Sequence, residues 1–457
     1  MNPMLADAID VPYVLGFGLI VLVPLMLFEI GIEALVLNKI WHIHFWKLCR
    51  YTLIANLLSL LAGIPVKILN AWLYDFLLPD DLPGFFARYP SAVAIGSLIY
   101  FVVTLGVEGA YAFRWLRRKE HAITSGSVWK GVLLANLASY VVLAPLHYYL
   151  TRPIQQIREF STNLSSFSRP TDKVFFTDAV TGYLKAMQLN DLSAETIVPI
   201  PIRDYLLSAD LKICLFRGTN NNLYIYHRVT GLNNLVLQTS ERFLMNQAAF
   251  SPSGQYIAFT RESTNAVEVV DTQTGQHIYQ PLTKKISFSS ASVAWSTNEK
   301  TFYVSGFDNH DRLLFTILPS VRLQVENLTD TNTPPILTCY GRVGSGGGYG
   351  SDDWGGSFIE DSCGDLKAWT EPGLTSHLNI YHDAKPRSSV LYLSVNPGLL
   401  HIARFDFEDV AFLQGCRDCL FEANGYIYLL DIQDKRVGTV VHGDRFILLT
   451  PRYQKQL

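Results

Sequence analysis

The chain has 457 residues, of which 49% are hydrophobic and only 17% are charged, and its formal net charge is −3. This composition is more apolar and less charged than that of ordinary soluble proteins. Neither the first 150 residues nor the rest of the chain has a large excess of basic residues, which argues against nucleic acid as a partner.

The first 150 residues contain four apolar stretches, each near the roughly 20 residues that a helix needs to cross a bilayer. We expect four transmembrane helices, covering Pro12 to Leu37, Tyr51 to Leu73, Ala92 to Phe113, and Val128 to Leu150. The connections after the first and third stretches are rich in Lys and Arg, so they are expected in the cytoplasm. Both termini are then expected on the periplasmic or extracellular side of the cell (inner) membrane, without a removable signal peptide.

The two predicted hairpins repeat each other. Gly31-Ile32-Glu33-Ala34 matches Gly106-Val107-Glu108-Gly109, and Ala55-Asn56-Leu57-Leu58-Ser59 matches Ala135-Asn136-Leu137-Ala138-Ser139. Because each unit holds two spans, the copies share one orientation. They are expected to be related by a pseudo-twofold axis along the membrane normal.

This alignment predicts a polar cluster inside the bundle, about six residues from the cytoplasmic border. Its members are Glu33, Asn56, Glu108 and Asn136, together with Glu29, one helical turn before Glu33. A carboxyl group in hydrocarbon is costly and normally faces a partner or a cavity. One interpretation is a proton or cation site, and the other is interhelical hydrogen bonding that fixes the bundle.

From residue 151 to residue 172 the sequence is polar and Ser-rich, which predicts a linker, and residues 173–457 show the short runs and tight turns of many β-strands. Three similar turns are Asp178 to Gly182, His227 to Gly231, and Asp271 to Gly275, and weaker ones occur at Pro319, Lys385 and Lys435. Six turns predict six blades of a β-propeller, with a stacked β-sandwich as the alternative.

Ala249 to Phe259 aligns with Ala294 to Val304, 45 residues later, which is a blade-sized period. Over residues 205–305, and again at Tyr426 to Asp431, the sequence resembles TolB-like and WD-repeat-like propellers. The resemblance implies the fold and no particular activity. The ring is expected to close by pairing of Arg445 to Thr450 with Val174 to Thr177.

Six cysteines add information about the compartment. Cys339 and Cys363 bracket a Gly-rich insertion, and Cys416 and Cys419 form a close pair. In an oxidising location these four predict two disulfides. A four-cysteine zinc site would need two close pairs, and only one is present, so no metal is expected.

The sequence offers no catalytic or cofactor motif, and no catalytic residue is named. The leading hypothesis is a non-enzymatic binding or scaffold protein, or a subunit of a membrane complex, held in the lipid bilayer and able to self-associate. Tyr349 and Trp354 of the Gly-rich insertion are its candidate contacts with a protein partner. The alternative is a proton- or cation-coupled transport component that uses the intramembrane Glu and Asn pairs. Hydrolase or lyase chemistry in the centre of the propeller is a third possibility.

Overall fold

The computed structural model describes residues 11–118, 124–151, 154–161, 164, 167, 172–238, 248–261, 265–282, 292–296, 299–305, 312–318, 322–327, 339–340, 359–371, 377–394, 407–413 and 415–449. The chain divides into two compact units. The first comprises Met1–Gln155, Gly373–His377 and Tyr392–Phe405, and the second comprises Gln156–Pro372, Leu378–Leu391 and Asp406–Leu457.

Four helices form the first unit, and each contains one of the predicted apolar stretches. They are α1 (Val11–Trp41), α2 (Phe45–Leu77), α3 (Leu82–Arg118) and α4 (Ser125–Thr151). Helices α1 and α3 each pack against both α2 and α4. Among the described residues one helix, Leu82–Arg117, is long and apolar enough to cross a membrane. The expectation of four spans therefore stays a prediction.

Most β-strand residues lie in the second unit, and Ile154–Gln155, His377 and Tyr392–Ser394 belong to the first. The strands begin with β1 (Ile154–Gln155), β2 (Glu159–Ser161), β3 (Lys173–Asp178), β4 (Leu184–Gln188), β5 (Ala194–Val198), β6 (Ile202–Ser208), β7 (Ile213–Gly218), β8 (Leu223–His227), β9 (Leu232–Leu237), β10 (Ala248–Phe250), β11 (Tyr256–Arg261), β12 (Ala266–Asp271) and β13 (His277–Pro281). They continue with β14 (Ser292–Trp295), β15 (Thr301–Ser305), β16 (Arg312–Leu318), β17 (Arg322–Asn327), β18 (Cys339–Tyr340), β19 (Ile359–Cys363), β20 (Leu366–Glu371), β21 (His377–His382), β22 (Lys385–Ser394), β23 (Phe407–Phe412), β24 (Asp418–Ala423), β25 (Tyr426–Asp431) and β26 (Arg436–Leu449).

Most of these strands form antiparallel meanders of four, in the orders β6 to β9, β10 to β13, β14 to β17, and β19 to β22. In a fifth group β23, β24, β25 and the first part of β26 pair in that order. In a sixth the last part of β26 pairs with β3, followed by β4 and β5. This succession of small sheets makes the β region propeller-like. The segment expected as a linker contains β1, which pairs with β22, and β2, which runs parallel to β26.

The closing strand is confirmed as far as the chain is described. Gly443 pairs with Asp178, Ile447 with Phe175, and Leu448 with Val174. Because these residues come from opposite ends of the β region, their pairing joins its last sheet to its first. An open sheet edge is thereby avoided at this point.

The three predicted turns share one local geometry. Gly182, Gly231 and Gly275 have φ values of +69°, +69° and +68°, and each donates its backbone N–H to the carbonyl four residues earlier, at 2.8 to 2.9 Å. The first turn joins β3 to β4, the second and third strands of a sheet whose first strand comes from β26, whereas the other two turns join third and fourth strands.

Candidate functional site

The structure brings four of the five predicted polar residues together at the centre of the helical bundle. Glu33 lies on α1, Asn56 on α2, Glu108 on α3 and Asn136 on α4, and all four side chains are buried. The Asn56 amide donates to Glu33 Oε2 at 2.9 Å, and the Asn136 amide donates to Glu108 Oε2 at 2.7 Å. Each glutamate is therefore bonded to the asparagine of its own hairpin.

Two serines that the sequence reasoning missed connect the hairpins to each other. Ser139 on α4 donates to Glu33 Oε1, and Ser59 on α2 donates to Glu108 Oε1, both at 3.2 Å. The individual hydrogen bonds of the two repeats thus correspond to each other, in agreement with the predicted pseudo-twofold relation. The sequence does contain a signal for these contacts: a serine follows each asparagine by three residues and therefore lies on the same face of its helix.

Backbone carbonyls hold the asparagine side chains in place. The second amide hydrogen of Asn56 goes to the carbonyl of Thr52 at 3.0 Å, and that of Asn136 goes to the carbonyl of Val132 at 3.1 Å. The Tyr51 hydroxyl donates to the carbonyl of Glu108 at 3.3 Å. The bonds to Thr52 and Val132 thus help to orient the two asparagine amides toward the carboxyl groups.

Glu29, the fifth predicted residue, is half-buried one turn from Glu33 and interacts electrostatically with Glu108. At the same level Tyr140 of α4 is hydrogen-bonded to Thr104 of α3. Thr104 occupies the position of Glu29 in the second repeat, so the pseudo-twofold relation is broken here. The third carboxyl group has no counterpart.

The described part of the bundle offers these carboxyl groups neutral partners only. Among those residues no group of three or more His, Cys, Asp or Glu is arranged to hold a metal ion. The arrangement can bind a proton or stabilise helix packing by hydrogen bonds.

The surface of the bundle is apolar, whereas its interior combines the polar cluster with an apolar core that includes Leu37, Trp41 and Leu116. Exposed large apolar residues occur on all four helices, among them Leu27, Phe28 and Leu35 of α1, Leu57, Leu58 and Leu61 of α2, Leu98 and Val102 of α3, and Leu133, Leu134 and Leu137 of α4. On α2 and α4 the exposed Leu57 and Leu137 directly follow the buried Asn56 and Asn136. Such a surface is unusual for a protein in contact with water.

One disulfide joins two of the four cysteines for which disulfides were predicted. Cys363 is bonded to Cys416, with their Cα atoms 5.5 Å apart, a connectivity that the sequence left open. Strands β19 and β23 are in contact; Cys363 is the last residue of β19, and Cys416 lies in the turn that follows β23. Cys419 is buried within β24 and forms no disulfide, and the side chain of Cys339 is outside the described residues.

Charged side chains of the β region fix its turns. Partial burial opposes ionisation of Asp178, but the Lys185 ammonium at 2.5 Å and the N–H and hydroxyl of Thr181 outweigh it, and the pKa of Asp178 falls to about 2. In the same way Arg417 and Arg436 surround the buried Asp431. Tyr349 and Trp354, the predicted partner contacts, lie outside the described residues.

No protein-family model and no curated protein matches the chain. Similar solved structures include TolB from Acinetobacter baumannii, at 12% identity and a TM-score of 0.31, covering 69% of this chain and 70% of that one. The Cps50 (Swd1) β-propeller domain of Myceliophteria thermophila has 14% identity, a TM-score of 0.24, and coverage of 52% and 70%.

The tricorn protease matches at 10% identity and a TM-score of 0.29, over 61% of this chain but only 30% of its own length. This chain thus spans less than a third of that protein. TM-scores below 0.5 give these neighbours no weight of their own, and the propeller-like assignment rests on the strand pairing described above.

Proposed function

We propose that this chain is a membrane-anchored, extracytoplasmic six-bladed β-propeller that binds a protein partner, either as a scaffold or as a subunit of a membrane complex. The observation that carries the proposal is the polarity of the bundle, with buried Glu and Asn inside and exposed Leu outside. Lipid is the solvent for which this arrangement is favourable. Four spans with basic loops on the cytoplasmic side then leave the β region outside the cell or in the periplasm.

The disulfide between Cys363 and Cys416 supports the same location, because such bonds persist in oxidising compartments. Exposed apolar side chains support a protein partner. Strand β9, the last strand of its sheet, carries Leu232 and Leu235, and the turn before it carries Val229. Each of these side chains is more than half exposed. An edge strand with exposed leucines is a surface onto which another chain can pair.

The test is to extract the full-length protein in mild detergent, determine its native mass and identify proteins present in stoichiometric amounts. A constant partner is expected. The double variant Leu232→Ser/Leu235→Ser should then reduce partner recovery, and so should Tyr349→Ala/Trp354→Ala. Tyr279→Ser is the matched control, because Tyr279 is similarly exposed on β13, the last strand of the next sheet. A lone monomer or homo-oligomer under all conditions contradicts the proposal.

A second candidate function is proton- or cation-coupled transport by the bundle. The hydrogen bonds that cross between the hairpins favour it, because both glutamates have the same set of partners. Glu33→Gln and Glu108→Gln variants that insert normally should then lose the transport phenotype. If both retain every phenotype of the parent, this candidate is lost.

A further inference from the structure

The cluster around Glu33 and Glu108 has fewer hydrogen atoms than its acceptors require. Each asparagine amide has two hydrogens and uses one on a carboxylate and the other on a backbone carbonyl. Ser59 and Ser139 each have a single hydroxyl hydrogen but two acceptors in range. These are a carboxylate oxygen at 3.2 Å and the backbone carbonyl three residues earlier at 3.0 Å.

One further acceptor receives no hydrogen at all. Asn136 is 1% exposed, and its Oδ1 atom has no hydrogen-bond partner although its amide nitrogen donates to Glu108. Buried polar atoms are normally paired, so an orphaned carbonyl oxygen beside a carboxyl group indicates a missing donor.

The cluster also lacks a compensating positive charge in the described part of the chain. The titratable groups that face the two carboxyls are themselves acids: Glu29 from α1, Tyr51 from α2 and Tyr140 from α4, with Tyr111 of α3 stacked on Tyr51. Two ionised carboxylates among neutral donors would be poorly stabilised in apolar surroundings.

We propose that this cluster is a proton-binding site in which Glu33 and Glu108 together hold at least one exchangeable proton. A carboxylic acid supplies the hydrogen that the acceptors lack and removes one negative charge. A metal ion would restore the charge balance but would supply no hydrogen to the serine and asparagine acceptors. The inference rests on the proposed membrane location of the bundle, and it specifies the ion of the second candidate function.

Infrared spectroscopy of the full-length protein in lipid nanodiscs tests this assignment. At mildly acidic pH we expect the C=O stretching band of a protonated carboxylic acid, shifted in D2O and lost as the pH is raised. The double variant Glu33→Gln/Glu108→Gln should lose this band, and Glu159→Gln, at an exposed position of β2, should retain it. Absence of such a band in the folded parent protein at every pH overturns the proposal, and so does a band that survives in the double variant.

A chemical probe supplies a readout that needs no variant. Dicyclohexylcarbodiimide reacts with protonated carboxyls in apolar surroundings: the acid proton moves to a carbodiimide nitrogen and the carboxyl oxygen bonds to the central carbon, so the adduct keeps all atoms of both reactants. Peptide mass mapping should place it on Glu33 or Glu108, with a yield that falls as the pH rises. Protection by Na+ at constant pH would identify a cation as the occupant and overturn the proton assignment.

The membrane location is tested separately, by labelling single cysteines in the connections between helices from either side of sealed vesicles. Labelling that places the bundle outside the bilayer overturns that location, whereas the infrared band still reports whether the pair is protonated. The two failures are therefore distinguishable.

Discussion

At the scale of single residues, Trp295 joins two neighbouring sheets of the β region. Its side chain is fully buried, its ring N–H donates to the carbonyl of Ala249 at 2.9 Å, and its ring packs against Phe302. Trp295→Phe removes the donor and leaves a buried carbonyl and a cavity, so we expect a loss of about 2–4 kcal/mol in unfolding free energy. Denaturant titration of the full-length protein measures it, and Tyr279→Phe, at an exposed site, should change stability by less than about 0.5 kcal/mol.

Asp178 predicts a defined dependence of stability on pH. Its pKa is about 2 in the folded chain against an ordinary value of 3.8. A lowered pKa contributes stability that is fully present above pH 3.8 and is lost as the pH falls toward 2, because the folded state then takes up the proton as well. The difference in unfolding free energy between the parent and Asp178→Asn should therefore be constant near neutral pH and shrink in that acidic window. A difference that grows on acidification contradicts the assignment.

At the scale of elements, two helical glycines predict different tolerance to substitution. A Cβ atom at Gly131 of α4 would lie 2.6 Å from Nε1 of Trp41, a buried ring whose N–H is held by the carbonyl of Ser127. Gly131→Ala should therefore destabilise the bundle by about 1–3 kcal/mol. At Gly31 of α1 an added Cβ meets nothing within 4 Å, so Gly31→Ala should be neutral or stabilising by up to about 1 kcal/mol.

Thermal unfolding of the full-length protein in detergent compares these two variants directly. Equal changes in stability at both positions would show that the contact with Trp41 does not determine the outcome.

The contacts between hairpins are a second test at this scale. A double-mutant cycle of Glu33→Gln and Ser139→Ala should give a coupling of about 0.5–1.5 kcal/mol, since buried hydrogen bonds between membrane helices have such values. The cycle of Glu108→Gln and Ser59→Ala should give a similar coupling because its geometry is the same. A control cycle of Glu33→Gln with Leu137→Ala, at an exposed residue of α4, should give a coupling energy of less than about 0.5 kcal/mol. Unequal couplings in the two cycles would contradict the pseudo-twofold relation.

These elements also show what a sequence can predict. Repeated local patterns gave the helices, the pairing of asparagine with glutamate, the shared turn geometry at Gly182, Gly231 and Gly275, and the strand that closes the β region. Features that depend on which elements become neighbours were missed. The two serines form hydrogen bonds between the hairpins. The turn after Asp178 follows the second strand of its sheet, whereas its counterparts follow the third. Cys416 is bonded to Cys363, although Cys419 is nearer in the sequence. None of these follows from spacing along one segment.

At the scale of the whole molecule, the disulfide between Cys363 and Cys416 should stabilise the folded chain only in a compartment where disulfides persist. It closes a loop with a sequence separation of 53 residues, and a loop of that size typically adds about 2–4 kcal/mol to the stability of the folded state. The unfolding free energy of the double variant Cys363→Ala/Cys416→Ala should be lower than that of the parent by about that amount. A reducing agent should lower the unfolding free energy of the parent to the same level. Cys49→Ala, which replaces a half-buried free thiol of α2, should keep the disulfide and therefore show the same loss on reduction as the parent.

In intact cells the same pair reports the orientation of the chain. If the β region lies outside the cytoplasm, alkylation before lysis followed by non-reducing peptide mapping should recover Cys363 and Cys416 joined, and Cys49 alkylated once the reagent has crossed the membrane. Oxidation of the pair after lysis is excluded because free thiols are blocked first. Recovery of Cys363 and Cys416 as separate alkylated peptides would place the β region in a reducing compartment. That result would contradict the predicted topology even if the helices span the bilayer.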